Sequence, residues 1–197
     1  GGIQDQIWPA YGGLNSIEIL PYGEFRVKPM PVTDEFYHQL EDSVVLIYTN
    51  EQRSQEEIAK SHDGAEKKRI LEISKEAYQY FLKENIQCIG KLLHESWKVK
   101  RDISPLISNS KVDATIETAM RSGAYGAKLL GTGGCGFVLA LCDPTSKKKL
   151  IETFGDAVLP VKFEADGVSQ IYPATNHENR NRFGVLQPPS LRSLAVH

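Results

Sequence analysis

Between positions 127 and 142 the chain reads Ala127-Lys128-Leu129-Leu130-Gly131-Thr132-Gly133-Gly134-Cys135-Gly136-Phe137-Val138-Leu139-Ala140-Leu141-Cys142. Glycines at 131, 133, 134 and 136 cost too much backbone entropy for a segment that only builds core. Such a loop serves where main-chain N–H groups converge on an anion, or where a ligand must approach the backbone closely. Val112, Ile116, Ala119, Met120 and Gly123 or Ala127 fall at helical spacing before it, and Phe137 to Cys142 read as a buried strand after it. The expected unit is therefore helix, glycine loop, strand. That order argues against two common nucleotide motifs. Gly131, Gly133 and Gly136 satisfy G-x-G-x-x-G in form, but a dinucleotide fingerprint follows a strand and opens a helix. A P-loop would need Gly-Lys-Ser/Thr, which does not follow.

The rest of the chain supplies the elements around that loop. Asp5 is expected in the first turn of a helix that Pro9 and the Gly12-Gly13 pair limit to about two turns. Leu14 to Leu20 and Phe25 to Lys28, joined by Pro21-Tyr22-Gly23-Glu24, form a plausible hairpin. Pro29, Pro31 and Thr33 make a stiff connection, taken as a boundary between structural units. Asp34 to Glu41 reads as a short helix, and Ser43 to Thr49 as a central strand. Helices follow over Gln55 to Ser61, Ala65 to Lys83 and Ile86 to Lys100, and a further turn starts at Ser104-Pro105. The stripes Ile70, Ile73, Ala77, Tyr80, Phe81 and Ile86, Ile89, Leu92, Leu93, Trp97 read as packing faces. Asn109 or Ser110 caps the next helix, Asp143-Pro144 caps another that Gly155 closes, and Leu159 to Glu164 forms a last strand. From Val44 the order is thus strand, several helices, strand, helix, strand, an α+β arrangement with helices on one sheet face.

Charge and cysteine usage narrow the function classes. A net charge of −2 over 197 residues provides no basic field for nucleic acid or an anionic membrane. No apolar run approaches the length of a membrane span. Cys88, Cys135 and Cys142 are too few for a disulfide framework, which suggests a reducing, cytoplasmic compartment. His38, His62, His94, His177 and His197 show no metal-ligand spacing, so no metal site is expected from this chain. No serine or cysteine has a nucleophile's context; Cys135 reads as a small space-filling residue.

Asp5 stands out because glycines lie on both sides and the amides Gln4 and Gln6 flank it. A lone aspartate at such a place is commonly a cap. A carboxylate held near an anion-binding loop is also what phosphoryl transfer to a hydroxyl requires: the loop and a magnesium ion neutralise phosphate charge, and the carboxylate orients or deprotonates the hydroxyl. Arg53, Arg69, Lys98, Lys100 and Lys128 are candidate phosphate partners, against the plain reading of solvated helix faces.

Gly2-Ile3-Gln4-Asp5-Gln6 with Gly12-Gly13, and Lys128-Leu129-Leu130-Gly131-Thr132-Gly133-Gly134-Cys135-Gly136-Phe137, together resemble the GHMP small-molecule kinases. The glycine segment resembles the family's third motif, with Cys135 where glycine is usual. Tyr48 to Arg53, His94 to Lys100 and Ile107 to Asp113 resemble the branch of heptose 7-phosphate kinases and fucokinase-like sugar kinases. The resemblance covers about residues 1 to 170. It implies a ferredoxin-like two-layer α+β sandwich over 34–171, preceded in 1–33 by the end of the family's N-terminal domain and followed in 172–197 by an irregular tail. It implies Asp5 as catalytic base, Gly131, Thr132, Gly133, Gly134, Cys135 and Gly136 as the phosphate and substrate loop, and contacts from Gln4, Arg53 and Lys128. It implies ATP and Mg2+ as cofactors and a sugar or sugar phosphate as acceptor.

The family's second motif, a Pro-x-x-x-Gly-Leu-Gly-Ser-Ser loop, occurs nowhere here. It and the sugar-recognising segment belong upstream, so the chain is expected to be a C-terminal fragment, inactive without the missing N-terminal half. Exposed apolar surface at that edge would favour self-association. Two rivals stand beside this reading: a non-catalytic α+β binding module, and a kinase for fucose or galactose.

Overall fold

The computed structural model of the chain describes residues 3–49, 64–131 and 133–168. Its centre is a four-stranded sheet of β3 (Val44–Tyr48), β4 (Gly126–Leu129), β5 (Phe137–Leu141) and β6 (Val158–Leu159). The strands lie in the order β4-β5-β3-β6, with every neighbouring pair antiparallel. Taken in chain order this is the ferredoxin-like arrangement: the first strand sits inside and the last joins its free edge. A separate hairpin pairs β1 (Asn15–Ile19) with β2 (Phe25–Pro29).

The strands alternate strictly between two faces. Val45, Ile47, Ala127, Leu129, Val138 and Ala140 share one face and join Val112, Ile116 and Ala119 of α5 (Ser110–Arg121) and Leu150 of α6 (Pro144–Phe154) in one buried cluster. Trp97, from the helix before the α5 loop, completes it and is 1% exposed. Apolar packing is not confined to that face. Val44, Leu139 and Leu141 point the other way, towards Phe36 and Leu40 of α2 (Asp34–Ser43) and Ile89 of α4 (Ile86–Asp102). The helix α3 (Gly64–Leu82) packs on α4, and the stripes expected on both helices supply buried Ile73, Ile89, Leu92 and Trp97.

Capping explains several helix starts. Thr33 accepts from the Phe36 amide, Asn85 from Cys88, Asn109 from Lys111 and Val112, and Asp143 from Thr145 and Ser146. Three sequence expectations need correction. The helical spacing did not run into the glycine loop: α5 stops at Arg121, Gly123 takes φ +100°, and β4 enters the loop instead. The loop therefore joins two strands, and the sheet gains a strand that sequence periodicity did not show. Ser104-Pro105 lies in a turn, not a helix. The last strand is only Val158–Leu159, because Pro160 has no N–H to continue a ladder. Beyond it the backbone is held by a side chain: buried Glu41 accepts from Lys162 Nζ at 2.6 Å and from the Phe163 amide at 2.6 Å. The Lys162 bond, with the Phe163 bond next, holds the Glu41 carboxyl below its ordinary range. The helix read over Gln55 to Ser61 lies outside the described residues.

Candidate active site

The loop between β4 and β5 is held by three other segments. Gly131, Gly133, Gly134 and Gly136 have φ of +71°, +124°, +77° and +111°, so the glycines are required by conformation. The Gly134 amide donates to Ile107 O at 2.8 Å, while Asn109 Nδ2 donates to Gly134 O at 2.7 Å. At the far end the Thr49 amide and hydroxyl both donate to Gly136 O, at 2.9 and 2.8 Å, and the Gly136 amide donates to Thr49 Oγ1 at 3.2 Å. Gly133 presses on Ile107, whose Cα lies 3.0 Å from where a Cβ would stand. The amides of Gly134 and Gly136 thus fix the loop's own shape, and nearby positive charge is brought by lysine side chains. Thr132 and Arg53 lie outside the described residues.

The lysines are placed by an unusually close helix–strand contact. At the seam of α4 and β4, a Cβ on Gly126 would stand 1.7 Å from Gly90 O, so only glycine lets the helix lie so near. His94 reinforces the seam: its Nδ1 is 3.1 Å from Ala127 O, an acceptor only, so Nδ1 carries the proton. The next turns of α4 then bring Ser96 and Lys100 beside Lys128 of β4. Lys128 Nζ donates to Ser96 Oγ at 2.9 Å, and Ser96 Oγ donates to Leu93 O at 2.7 Å. Lys100 Nζ donates to Gly131 O and so reaches the glycine loop itself.

Both lysines are half-buried, and the electrostatics follow from that. Burial, then the neighbouring Lys128 charge, push Lys100 down from its ordinary 10.5 to about 8, and the Asp5 carboxylate opposes the shift. Burial also lowers Lys128. Lys100 thus feels both the Lys128 and the Asp5 charge while its ammonium donates to Gly131 O. Arg69 belongs elsewhere, paired with Glu72 at 3.1 Å and with Glu95.

Asp5 sits in the first turn of α1 (Gln4–Tyr11), where the helix dipole favours a carboxylate. Ile7 anchors the helix, and Gln4 and Asp5 are exposed at its start. The helix ends at Gly12, with φ +64°, and the Gly13 amide donates to Glu164 O at 2.7 Å. Gly12 and Gly167 touch so closely that a Cβ on Gly12 would stand 2.0 Å from the Gly167 nitrogen. The backbone after β6 therefore clasps the end of the helix that carries Asp5. Among the described residues, no three His, Cys, Asp or Glu side chains gather as a metal site, and no helix is long and apolar enough to cross a membrane.

A ferredoxin-like sheet whose inner hairpin carries this loop defines a class: the chain carries a C-terminal domain of the GHMP kinases, and residues 77–159 match the family model described as GHMP kinases C terminal. Among its relatives, the D-glycero-alpha-D-manno-heptose 7-phosphate kinase of Campylobacter jejuni is 31% identical over 160 residues, covering 77% of this chain and 47% of that protein. The bifunctional fucokinase/GDP-fucose pyrophosphorylase of Arabidopsis thaliana is 26% identical over 161 residues, covering 76% of this chain and 15% of that one. The crystal structure of a D-glycero-D-manno-heptose 1-phosphate kinase from Bacteroides thetaiotaomicron matches with a TM-score of 0.65 and 25% identity, over 88% of this chain and 50% of the other. The chain thus spans about half the length of the heptose kinases it matches and a smaller part of the bifunctional protein.

Proposed function

We propose that this chain is the C-terminal portion of an ATP-dependent sugar kinase acting on a sugar phosphate hydroxyl, with a heptose 7-phosphate as the favoured acceptor. The observation that carries the reading is that Lys100, whose ammonium donates to Gly131 O at the start of the glycine loop, lies within reach of the Lys128 and Asp5 charges. In this reading residues 1–33 end the N-terminal domain, 34–171 form the C-terminal domain and 172–197 are a tail. The missing N-terminal half supplies the remaining nucleotide and sugar contacts, and the compartment is the cytoplasm.

Asp5 takes the role of base. Its exposed carboxylate accepts the proton of the acceptor hydroxyl as the oxygen attacks, and Gln4 beside it is placed to orient the sugar. In this reading the loop from Gly131 to Gly136 faces the phosphates, and Lys128 supplies compensating charge. Those residues fit the anionic end of ATP, which when bound supplies the phosphoryl group. The likeness to a fucokinase supports the same chemistry on fucose, and a panel of acceptors separates the two.

The test is phosphoryl transfer from Mg-ATP to heptose 7-phosphate, heptose, fucose and galactose, by this chain and by one extended upstream. Asp5→Asn is expected to lower turnover of the active form by about 10²- to 10⁴-fold with folding unchanged. Full turnover in Asp5→Asn would remove the base assignment. No turnover by either chain would favour a non-catalytic binding module.

A further inference from the structure

We propose that Lys100 and Lys128 form an anion subsite beside Asp5 that takes a phosphate dianion. The inference deepens the kinase reading and rests on it for the ligand's origin, which is either the phosphate already on the acceptor or the terminal phosphate of the nucleotide. The site itself rests on geometry. Two ammonium groups come from different elements, α4 and β4, locked together by the contact of Gly90 with Gly126. Both lysines are half-buried, and each ammonium is held by a neutral oxygen, Gly131 O for Lys100 and Ser96 Oγ for Lys128. They are close enough that the Lys128 charge disfavours protonation of Lys100, whereas Asp5 favours it.

Partly desolvating two like charges side by side is unfavourable. The arrangement becomes favourable when a dianion enters, because each lysine then gains a charge-assisted hydrogen bond. Lysine suits such a site because its compact ammonium can turn its three donors to any phosphate oxygen. A phosphate at this place would lie next to the carboxylate proposed as base and at the mouth of the glycine loop. The pair therefore selects for a phosphorylated ligand by charge, next to the carboxylate proposed to act on the acceptor hydroxyl.

The experiment is binding without turnover. The 197-residue chain is titrated with inorganic phosphate, heptose 7-phosphate, heptose and ATP, following the lysine side-chain resonances by NMR and the Kd by calorimetry. Phosphate is expected to move the Lys100 and Lys128 signals together and to raise the Lys100 midpoint from about 8 towards 10.5. Heptose should move neither. Lys100→Met and Lys128→Met are each expected to weaken phosphate binding roughly tenfold or more, and Lys100→Arg to restore most of it. A response to heptose 7-phosphate with ATP silent assigns the subsite to the acceptor, and the reverse assigns it to the nucleotide. Failure of inorganic phosphate to move either lysine overturns the proposal, as does equal binding by the double Met variant. The midpoint shift in the unaltered chain decides the matter even where a variant does not fold. Turnover that ignores both lysines would remove the subsite and leave the kinase reading standing; phosphate binding without turnover in an extended chain would do the opposite.

Discussion

Glycine is used in two different ways a few residues apart. At the seam of α4 and β4, Gly126 has an ordinary backbone conformation, but a Cβ there would overlap Gly90 O at 1.7 Å. In the loop, Gly131 and Gly136 have open space around them, and it is their φ of +71° and +111° that other residues adopt at a cost. Gly133 combines both demands, with φ +124° and Ile107 at 3.0 Å. The seam glycine sets how closely a helix and a strand approach, and through that where Lys100 and Lys128 stand. The loop glycines set the shape of the surface those lysines face. Substitution should therefore act on the fold in one place and on the site in the other.

The largest effect is expected at the seam. Gly126→Ala must push α4 off the sheet and should destabilise the chain by about 3 kcal/mol or more, read as a lower denaturant midpoint. Gly133→Ala should cost about 2 to 3 kcal/mol, since strain and crowding add. At Gly131, Ala meets only the left-handed backbone and should cost about 1 kcal/mol, with Asn milder still. If Gly131→Ala proved as damaging as Gly126→Ala, the division between space and conformation would fail. The smallest effect sharpens the electrostatic side. Lys100 titrates at about 8 when folded and at its ordinary 10.5 when unfolded. Between those values the unfolded chain binds more protons, so stability should rise with pH across that window. Below about 8 both states are protonated, and the folded chain carries the full penalty of the desolvated charge. The rise should vanish in Lys100→Met, measured as denaturant midpoint against pH.

Much of this molecule could be read along the chain because local chemistry and tertiary demand agree. Asn109 and Asp143 cap where their side chains reach amides in the next turn, and Val44 to Ile47 are β-branched or apolar because both faces of β3 are covered. The miss at β4 has a physical cause. Gly126 to Leu129 alternate for only four residues, too short to compete with a helical period that Ala127 happened to extend. Gly123 was the stop signal, since φ +100° ends a helix where an L residue would strain. Residues 160–164 misled in the opposite sense: an alternating pattern met a carboxylate from Glu41 in place of a neighbouring strand. Asp5 and Lys128 stood out by motif, whereas Lys100 was only one of several basic candidates on helix faces, because its burial depends on a contact between Gly90 and Gly126. Thr49 and Asn109 give no hint of holding the loop either, being joined to Gly136 and Gly134 only once the sheet closes.

The clasp between Gly12 and Gly167 also bears on the order of events during folding. A helix of two turns has little persistence by itself, and α1 leans on backbone that leaves the sheet only after its final strand. Such a distant closure forms late, after the local hairpins and helix pairs are already in place. Asp5 should therefore be among the last groups to be positioned. In reverse, opening of the strap at Glu164 to Gly167 would loosen α1 while β3, β4 and β5 stayed paired, so the placement of Asp5 and the integrity of the sheet should be lost at separate thresholds.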